Sequence, residues 1–528
     1  MSKVYSSDSD LQEKILSGVN KLTDYVASTL GPKGRNVILH QKGKRPIITK
    51  DGVTVAEFIE LDDPIENAAA QILKQASSQT NLVAGDGTTT ATVLARAILQ
   101  EAQKHIVAGA SPVELKRGID NVTEKLVEAL RENATPISSV EDIENIATVS
   151  ANGDKVIGKM IATAVDQVGK NGAITVEEAR SVESSLDVQE GFRFEGGYFS
   201  NQFVTDQRRA IANFSDALVM VTDHKISTVD EMMPVLELIA REARPLVIVA
   251  EEVEGQALAA LIMNSVRGTL KVMAVKAPYY GEERRNILKD LALSIGATFI
   301  SREARLKLRD TKLEHMGEVT SVEASKFSTT FVGGKGESEA ADERLEALKA
   351  ELAATEDMHS CEKIQERITR LASGVAVIRV GAPTEVEMVE KKHRVEDALE
   401  AVRAARQEGV VAGGGSALLQ ARETIKVQVE NPEQGMGVKA VFAALETPAR
   451  QMAENAGLSP DLIVGKLVEA RRQNPTIPIG VDFRTGEMGD MCEAGIIDPV
   501  KVTISALQNA SSVASTLLTT NCAVVEAE

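Results

Sequence analysis

The sequence predicts a multi-domain chain with helical and α/β parts, and three observations carry that reading. Apolar residues recur at helical spacing through the first 132 residues. Short apolar runs alternate with helical stretches between 190 and 375. Helical character resumes after Val410-Val411-Ala412-Gly413-Gly414-Gly415. This order places the middle as an insertion between first and last thirds that pack together. A length of 528 residues allows about two to four domains.

Taken in order, Leu11, Ile15, Val19, Leu22, Val26 and Leu30 predict a first helix, which LGPKGR (30–35) breaks. Residues 36–40 follow as a strand candidate. Ile65, Ala69, Ile72, Leu73 and Ala76 mark a second helix, and the segment from Thr88 to His105 a third. A fourth begins after Ser111-Pro112, an N-cap type followed by proline in the first turn. In the middle, 217–222, 245–250 and 270–277 read as strands of a largely parallel sheet, with helices at 229–243 and 255–266. Leu345, Leu348 and Leu352 line one charged helix, and Ile364, Ile368 and Leu371 line a second, predicting an antiparallel hairpin over 338–372. Another strand is expected at 374–380, then a helix from Thr384 to Glu408.

Composition narrows the function classes. Aromatics reach 3% and Trp is absent, so the core must be aliphatic and alanine-rich, which favours packed helices. A net charge of −18 argues against nucleic acid as the main partner. Cys361, Cys492 and Cys522 are scattered without CxxC spacing, and the six histidines form no HxxxH pair. The first residues carry no apolar signal core, and no 18-residue apolar run occurs. A soluble cytoplasmic protein without a membrane partner is therefore expected; a mature organellar form would read the same.

Chemistry concentrates in glycine-rich turns. Gly85-Asp86-Gly87-Thr88-Thr89-Thr90 ends a loop and opens a helix, where free N–H groups and hydroxyls suit phosphate oxygens. Asp86 could hold Mg²⁺. The same residues also read as a plain glycine loop with a threonine N-cap, and no GxxxxGK[ST] is present. Gly31 lies in a turn at a helix end, and Asp51 is expected in a turn before a strand. The 412–415 turn reads as close backbone approach or a helix cap, and Asp397 as a member of a solvated helix face. A nucleotide site at the junction of the two helical thirds accounts for all of these together.

The motifs TLGPKGRNV, ITKDGVTVA, AGDGTTTATVLA, LKRGID, VEGQALA, GVAVIRVGAPTEVEM, QEGVVAGGG and IIDPVKVT resemble those of the bacterial-type group I chaperonins, the GroEL kind, from about residue 8 to 522. The resemblance implies a group I chaperonin fold: an equatorial ATPase domain over 1–132 and 408–528, an intermediate hinge over 133–189 and 376–407, and an α/β apical domain over 190–375. It implies an ATP-dependent chaperone that captures non-native proteins, encloses them in a ring cavity and promotes folding. Thr29, Leu30, Gly31 and Pro32 would line the nucleotide. Gly87, Thr88, Thr89 and Thr90 would hold its phosphates, Asp86 would hold Mg²⁺, and backbone oxygens of Thr29 and Lys50 would hold K⁺. Gly414 and Asp498 would contact adenosine. Asp51 and Asp397 would polarise the attacking water, Asp397 only after the hinge swings down. Tyr198, Phe203, Met233, Leu236, Leu258, Ile262 and Met263 would form an apical groove for unfolded clients and for a lid co-chaperonin of the GroES type, and Glu251, Glu252 and Glu254 would face the closed cavity. Partners implied are the chain itself, in a heptameric ring that can stack in pairs, the lid, and client proteins.

Several positions depart from the family pattern. Gln202 replaces a groove tyrosine, and Asp482-Phe483-Arg484 replaces Asn-Ala-Ala at the adenine contact. Gly196 stands where an arginine would meet Glu385 of a neighbour, Leu82 where an aspartate would pair across domains, and Ser459 where a glutamate would meet the opposite ring. The chain ends at Val524-Val525-Glu526-Ala527-Glu528 in place of a Gly-Met-rich tail. Two other readings of the sequence compete with a general chaperone. A kinase or ligase would need a second substrate pocket, for which no further acid/base cluster is offered. A specialised ring subunit would serve one client. The departures predict weak coupling between rings. Sedimentation with and without ATP should show rings separating in some nucleotide state, and a double ring that persists in every state would refute this.

Overall fold

The helices form where aliphatic spacing and capping agree. Leu11, Ile15, Val19, Leu22 and Val26 make one buried stripe on the Asp8–Ala27 helix. The Pro64–Ala84 helix starts at Asp63, whose carboxylate accepts from the Ile65 and Glu66 N–H groups at 2.8 and 3.1 Å. Pro112 does open the Pro112–Glu132 helix, but Ser111 makes no side-chain capping bond there. The computed structural model describes every residue except 1–2, 42, 44–45, 138, 170–172, 180, 190, 305, 337, 356, 373, 475–476 and 527–528. Its chain divides into two compact units, one of Met1–Thr163, Arg180–Glu183 and Val380–Glu528, the other of Ala164–Ala179 and Ser184–Arg379.

In the first unit, the two ends of the sequence share one core. Leu94, Ile98 and Leu126 pack with Val441, Ile504 and Leu507. Each such buried aliphatic side chain contributes about 1.5–3 kcal/mol of transfer free energy. Polar contacts fix the register: Asn509 donates to the Thr80 hydroxyl at 2.9 Å, and Thr123 to Ser511 at 3.0 Å. Gly118 lets two helices touch, since a Cβ there would sit 2.0 Å from the Gln434 carbonyl oxygen. The Lys3–Ser7 strand pairs antiparallel with Cys522–Glu526. Among the described residues, no helix is long and apolar enough to cross a membrane.

The second unit is built on a six-stranded sheet. Val272–Lys276, Leu246–Ala250 and Ala212–Val221 run parallel, as expected for strands separated by helices. The next strands, Gly317–Ala324, Thr329–Val332 and Gly191–Phe194, pair antiparallel, so the sheet is mixed and not largely parallel. The Gly317–Ala324 and Thr329–Val332 pairing has a local reason. Residues 325–328 form a turn too short for a crossover, closed by the Ser325 hydroxyl accepting from the Phe327 and Ser328 N–H groups. The predicted hairpin forms from Ser338–Ala354 and Met358–Ala372, with Leu348, Ile364 and Ile368 inside. Buried Asp290 of the Gly281–Ile295 helix clamps it, accepting two bonds from Arg367 at 2.7 and 2.9 Å and one from Arg344 at 3.2 Å. Breaking a buried pair of this kind typically costs about 3–5 kcal/mol.

Candidate functional site

The Pro64–Ala84 helix ends at Gly85 in left-handed geometry (φ +72°), and Gly87 repeats it (φ +82°) immediately before the Thr88–Val107 helix. No side chain caps that helix at Gly87, so its first-turn N–H groups and the positive end of its dipole point into an adjoining cavity of about 280 Å³. Asp86, between the two glycines, accepts from the Gly87 N–H at 2.5 Å and the Ser150 hydroxyl at 3.0 Å.

The cavity collects the residues singled out in the sequence. Thr29, Leu30, Gly31, Pro32, Lys50, Asp51, Asp86, Gly87, Thr88, Thr89, Thr90, Asp397, Gly414 and Asp498 all line it. Thr29 and Thr89 hydroxyls lie 3.2 Å apart. Gly31 (φ +81°) abuts Met452, which a Cβ would meet at 2.7 Å.

Asp51 corrects one expectation. It precedes a helix, Gly52–Phe58, rather than a strand, and caps that helix by accepting from Val53 N–H (3.3 Å), Thr54 N–H (3.1 Å) and the Thr54 hydroxyl (2.6 Å). The β-branched run Val53-Thr54-Val55 imitates a strand, but the cap decides.

Asp397 corrects another. It does not belong to a solvated face: Glu390, His393, Arg394 and Asp397 recur at 3–4-residue spacing along the Glu385–Glu408 helix and all line the cavity. That helix is already seated, because a Cβ on Gly85 would come 2.2 Å from Cβ of Glu400. No further hinge movement is needed here to bring Asp397 to the cavity.

Charge balance is unusual at two groups. Burial, with the Asp86 carboxylate as the second cause, pushes the Asp498 carboxyl up to about 7. Burial lowers the Lys50 ammonium to about 8, with Glu390 opposing and Arg394 reinforcing the shift. Lys50 Nζ donates to the Gly31 carbonyl at 2.9 Å and to Asn152 Oδ1 at 2.7 Å. Among the described residues, no group of three or more His, Cys, Asp or Glu side chains could hold a metal ion alone. A Mg²⁺ at Asp86 therefore fits only with phosphate oxygens and water completing its shell, which is how Mg²⁺ is usually held.

Sequence reasoning missed Ser150, Asn152, His393 and Met452. Only His393 left a signal, one helical turn before Asp397. The others arrive by long-range packing. Of the groove residues in the second unit, Met233 and Met263 are exposed and Tyr198, Leu258 and Ile262 half-buried. Phe203 and Leu236 are core residues at 1% and 7% exposure, and so do not line an open groove. Leu236 sits on the inward side of its helix with Val235 and Ile239, and Phe203 packs in the same core.

Comparison with known proteins agrees with this architecture. The family model described as the TCP-1/cpn60 chaperonin family matches residues 22–528. Among solved structures, the chain is similar in fold to the chaperonin gp146 from the bacteriophage EL 2 (Pseudomonas aeruginosa), solved in the presence of ATP-BeFx. The TM-score is 0.66 at 20% identity, covering 99% of this chain and 100% of that one.

The Asp498 shift has a testable sign. Its neutral form is favoured in the fold, so the folded chain keeps this proton to higher pH than the unfolded chain. The associated stability is present at low pH and is lost as pH rises through about 7. Asp498→Asn should therefore melt higher than the parent protein by a margin that grows between about pH 4 and pH 7 and then levels. Thermal melts across pH check this, and a margin that does not change with pH would count against it.

Proposed function

This chain belongs to the TCP-1/cpn60 chaperonin family, and from that premise we propose that it is an ATP-hydrolysing chaperone whose catalytic centre is the cavity at the Thr88 helix. The observation that carries the proposal is convergence. Asp51, Asp86 and Asp397 come from three separate segments and line one cavity with an uncapped helix N-terminus. Hydrolysis of a phosphoanhydride needs chiefly positioning and charge stabilisation.

Each residue then has a physical role. Main-chain N–H groups and hydroxyls of Gly87, Thr88, Thr89 and Thr90 hold phosphate oxygens, helped by the dipole. Asp86 would anchor Mg²⁺, which would supply charge neutralisation, and the carbonyls of Thr29 and Lys50 would hold K⁺. Asp397 and Asp51 orient the attacking water and draw its proton. Asp498 and Gly414 face the sugar, and a protonated Asp498 can donate to a ribose hydroxyl as well as accept.

The rest of the machine is assigned on the same reading. The equatorial (1–132, 408–528), intermediate (133–189, 376–407) and apical (190–375) division is retained, with subunits in a heptameric ring that can stack. Met233, Leu258, Ile262 and Met263 form the client groove with Tyr198 at its side. Flexible Met and Leu side chains suit varied partners, and Phe203 and Leu236 support them from beneath. A lid of the GroES type would compete for the same groove.

Asp397→Ala tests the catalytic assignment. Calorimetry should find ATP affinity nearly unchanged, while turnover falls by roughly 10²–10⁴-fold, the usual contribution of a positioned base. Unchanged turnover, or loss of binding in a variant that still folds, would sink it.

A further inference from the structure

We propose that Asp482 and Arg484 are a base-reading pair at the apolar end of the cavity, and that they admit a guanine nucleotide as well as an adenine one. This rests on the reading of the cavity as a nucleotide site. Leu30, Met452, Val481 and Phe483 form an apolar cluster, and all four line the cavity. A flat heterocycle would be buried there. The wall leads to this end from Asp86. Next comes Asp498, whose Oδ1 lies 3.1 Å from where a Gly413 Cβ would sit. Then comes Gly414 (φ +66°), where a Cβ would meet the Val481 carbonyl at 3.3 Å and the Phe483 ring at 3.8 Å.

Asp482 and Arg484 stand beyond Phe483, at the turn between the Ile479–Asp482 and Glu487–Asp490 strands, and both line the cavity. The Asp482 carboxylate accepts from the Arg484 main-chain N–H at 2.8 Å and from its Nε and Nη2 at 3.2 Å each. Arg484 Nη1 comes within 3.7 Å of where a Gly153 Cβ would lie, so the guanidinium reaches the 151–154 turn at the cavity rim.

The donor and acceptor pattern points to guanine. A carboxylate only accepts and a guanidinium only donates. Guanine offers an N2–H donor to the carboxylate site that the three bonds from Arg484 leave, and adjacent O6 and N7 acceptors to the guanidinium. Adenine offers a single suitable group to each. Side chains that read adenine with two bonds are Asn or Gln. Among the described residues, the only such amide lining the cavity is Asn152, whose oxygen accepts from Lys50.

Calorimetric titration of the full chain with ADP, GDP and IDP tests this without turnover. The parent protein should bind GDP within about tenfold of ADP or more tightly, and IDP, lacking the N2 amine, more weakly than GDP. Arg484→Ala should weaken GDP about tenfold more than ADP. ADP preferred by more than about tenfold in the parent protein, or equal losses for GDP and ADP in Arg484→Ala, would overturn the pair's role and leave Asp482 as a cap on its own turn. Should Arg484→Ala fail to fold, the parent comparison decides alone. Binding of none of the three would instead overturn the nucleotide-site reading itself.

Discussion

The N-terminus of the Thr88–Val107 helix must stay uncapped and must also be crowded, and glycine is what reconciles the two. A Cβ on Gly52 would sit 2.3 Å from the Thr89 hydroxyl, one on Gly85 would strike Glu400, and one on Gly87 would come 2.6 Å from Val502. Three segments distant in sequence therefore close on one helix end only because these positions carry no side chain. The loop that delivers Asp51, the helix that delivers Asp397 and the helix that begins beside Asp498 all depend on it.

That crowding has an electrostatic cost. Asp51, Asp86, Asp397 and Asp498 line a single cavity in a chain of net charge −18. Lys50 and Arg394 offset part of it, yet Asp498 remains pushed up and Lys50 pushed down. Both are signs of charge held away from bulk water. A ligand that brought Mg²⁺ to these carboxylates would relieve the repulsion and so stabilise the fold on binding. The clustered carboxylates and stability are thus opposed here, and the aliphatic core shared by the two ends of the chain offsets the difference.

Much of this was legible in the sequence because it is local. The stripe from Leu11 to Val26, the proline-started helices and the 338–372 hairpin follow from period and capping alone. The glycine–threonine loop was legible as a phosphate candidate, and the conjunction of Gly31, Asp51, Asp397 and Gly414 pointed to one composite site. What escaped was non-local. Val53-Thr54-Val55 has strand propensity that the Asp51 cap overrides. The antiparallel pairing of Gly317–Ala324 with Thr329–Val332 is set by the 325–328 turn, and Phe203 and Leu236 are buried by packing that apolar spacing alone does not reveal. Ser150 reaches Asp86 from 64 residues away in sequence, and no motif announces that contact.

The central claim is that one cavity, assembled at the Thr88 helix, binds and hydrolyses ATP. Electron cryomicroscopy of the protein with Mg²⁺ and a non-hydrolysable ATP analogue tests it most directly. Phosphate density against the Thr88–Thr90 N–H groups, with the metal at Asp86 and Asp397 facing the terminal phosphate, is the predicted result. Nucleotide density outside this cavity, or Asp397 withdrawn from the terminal phosphate, would contradict it.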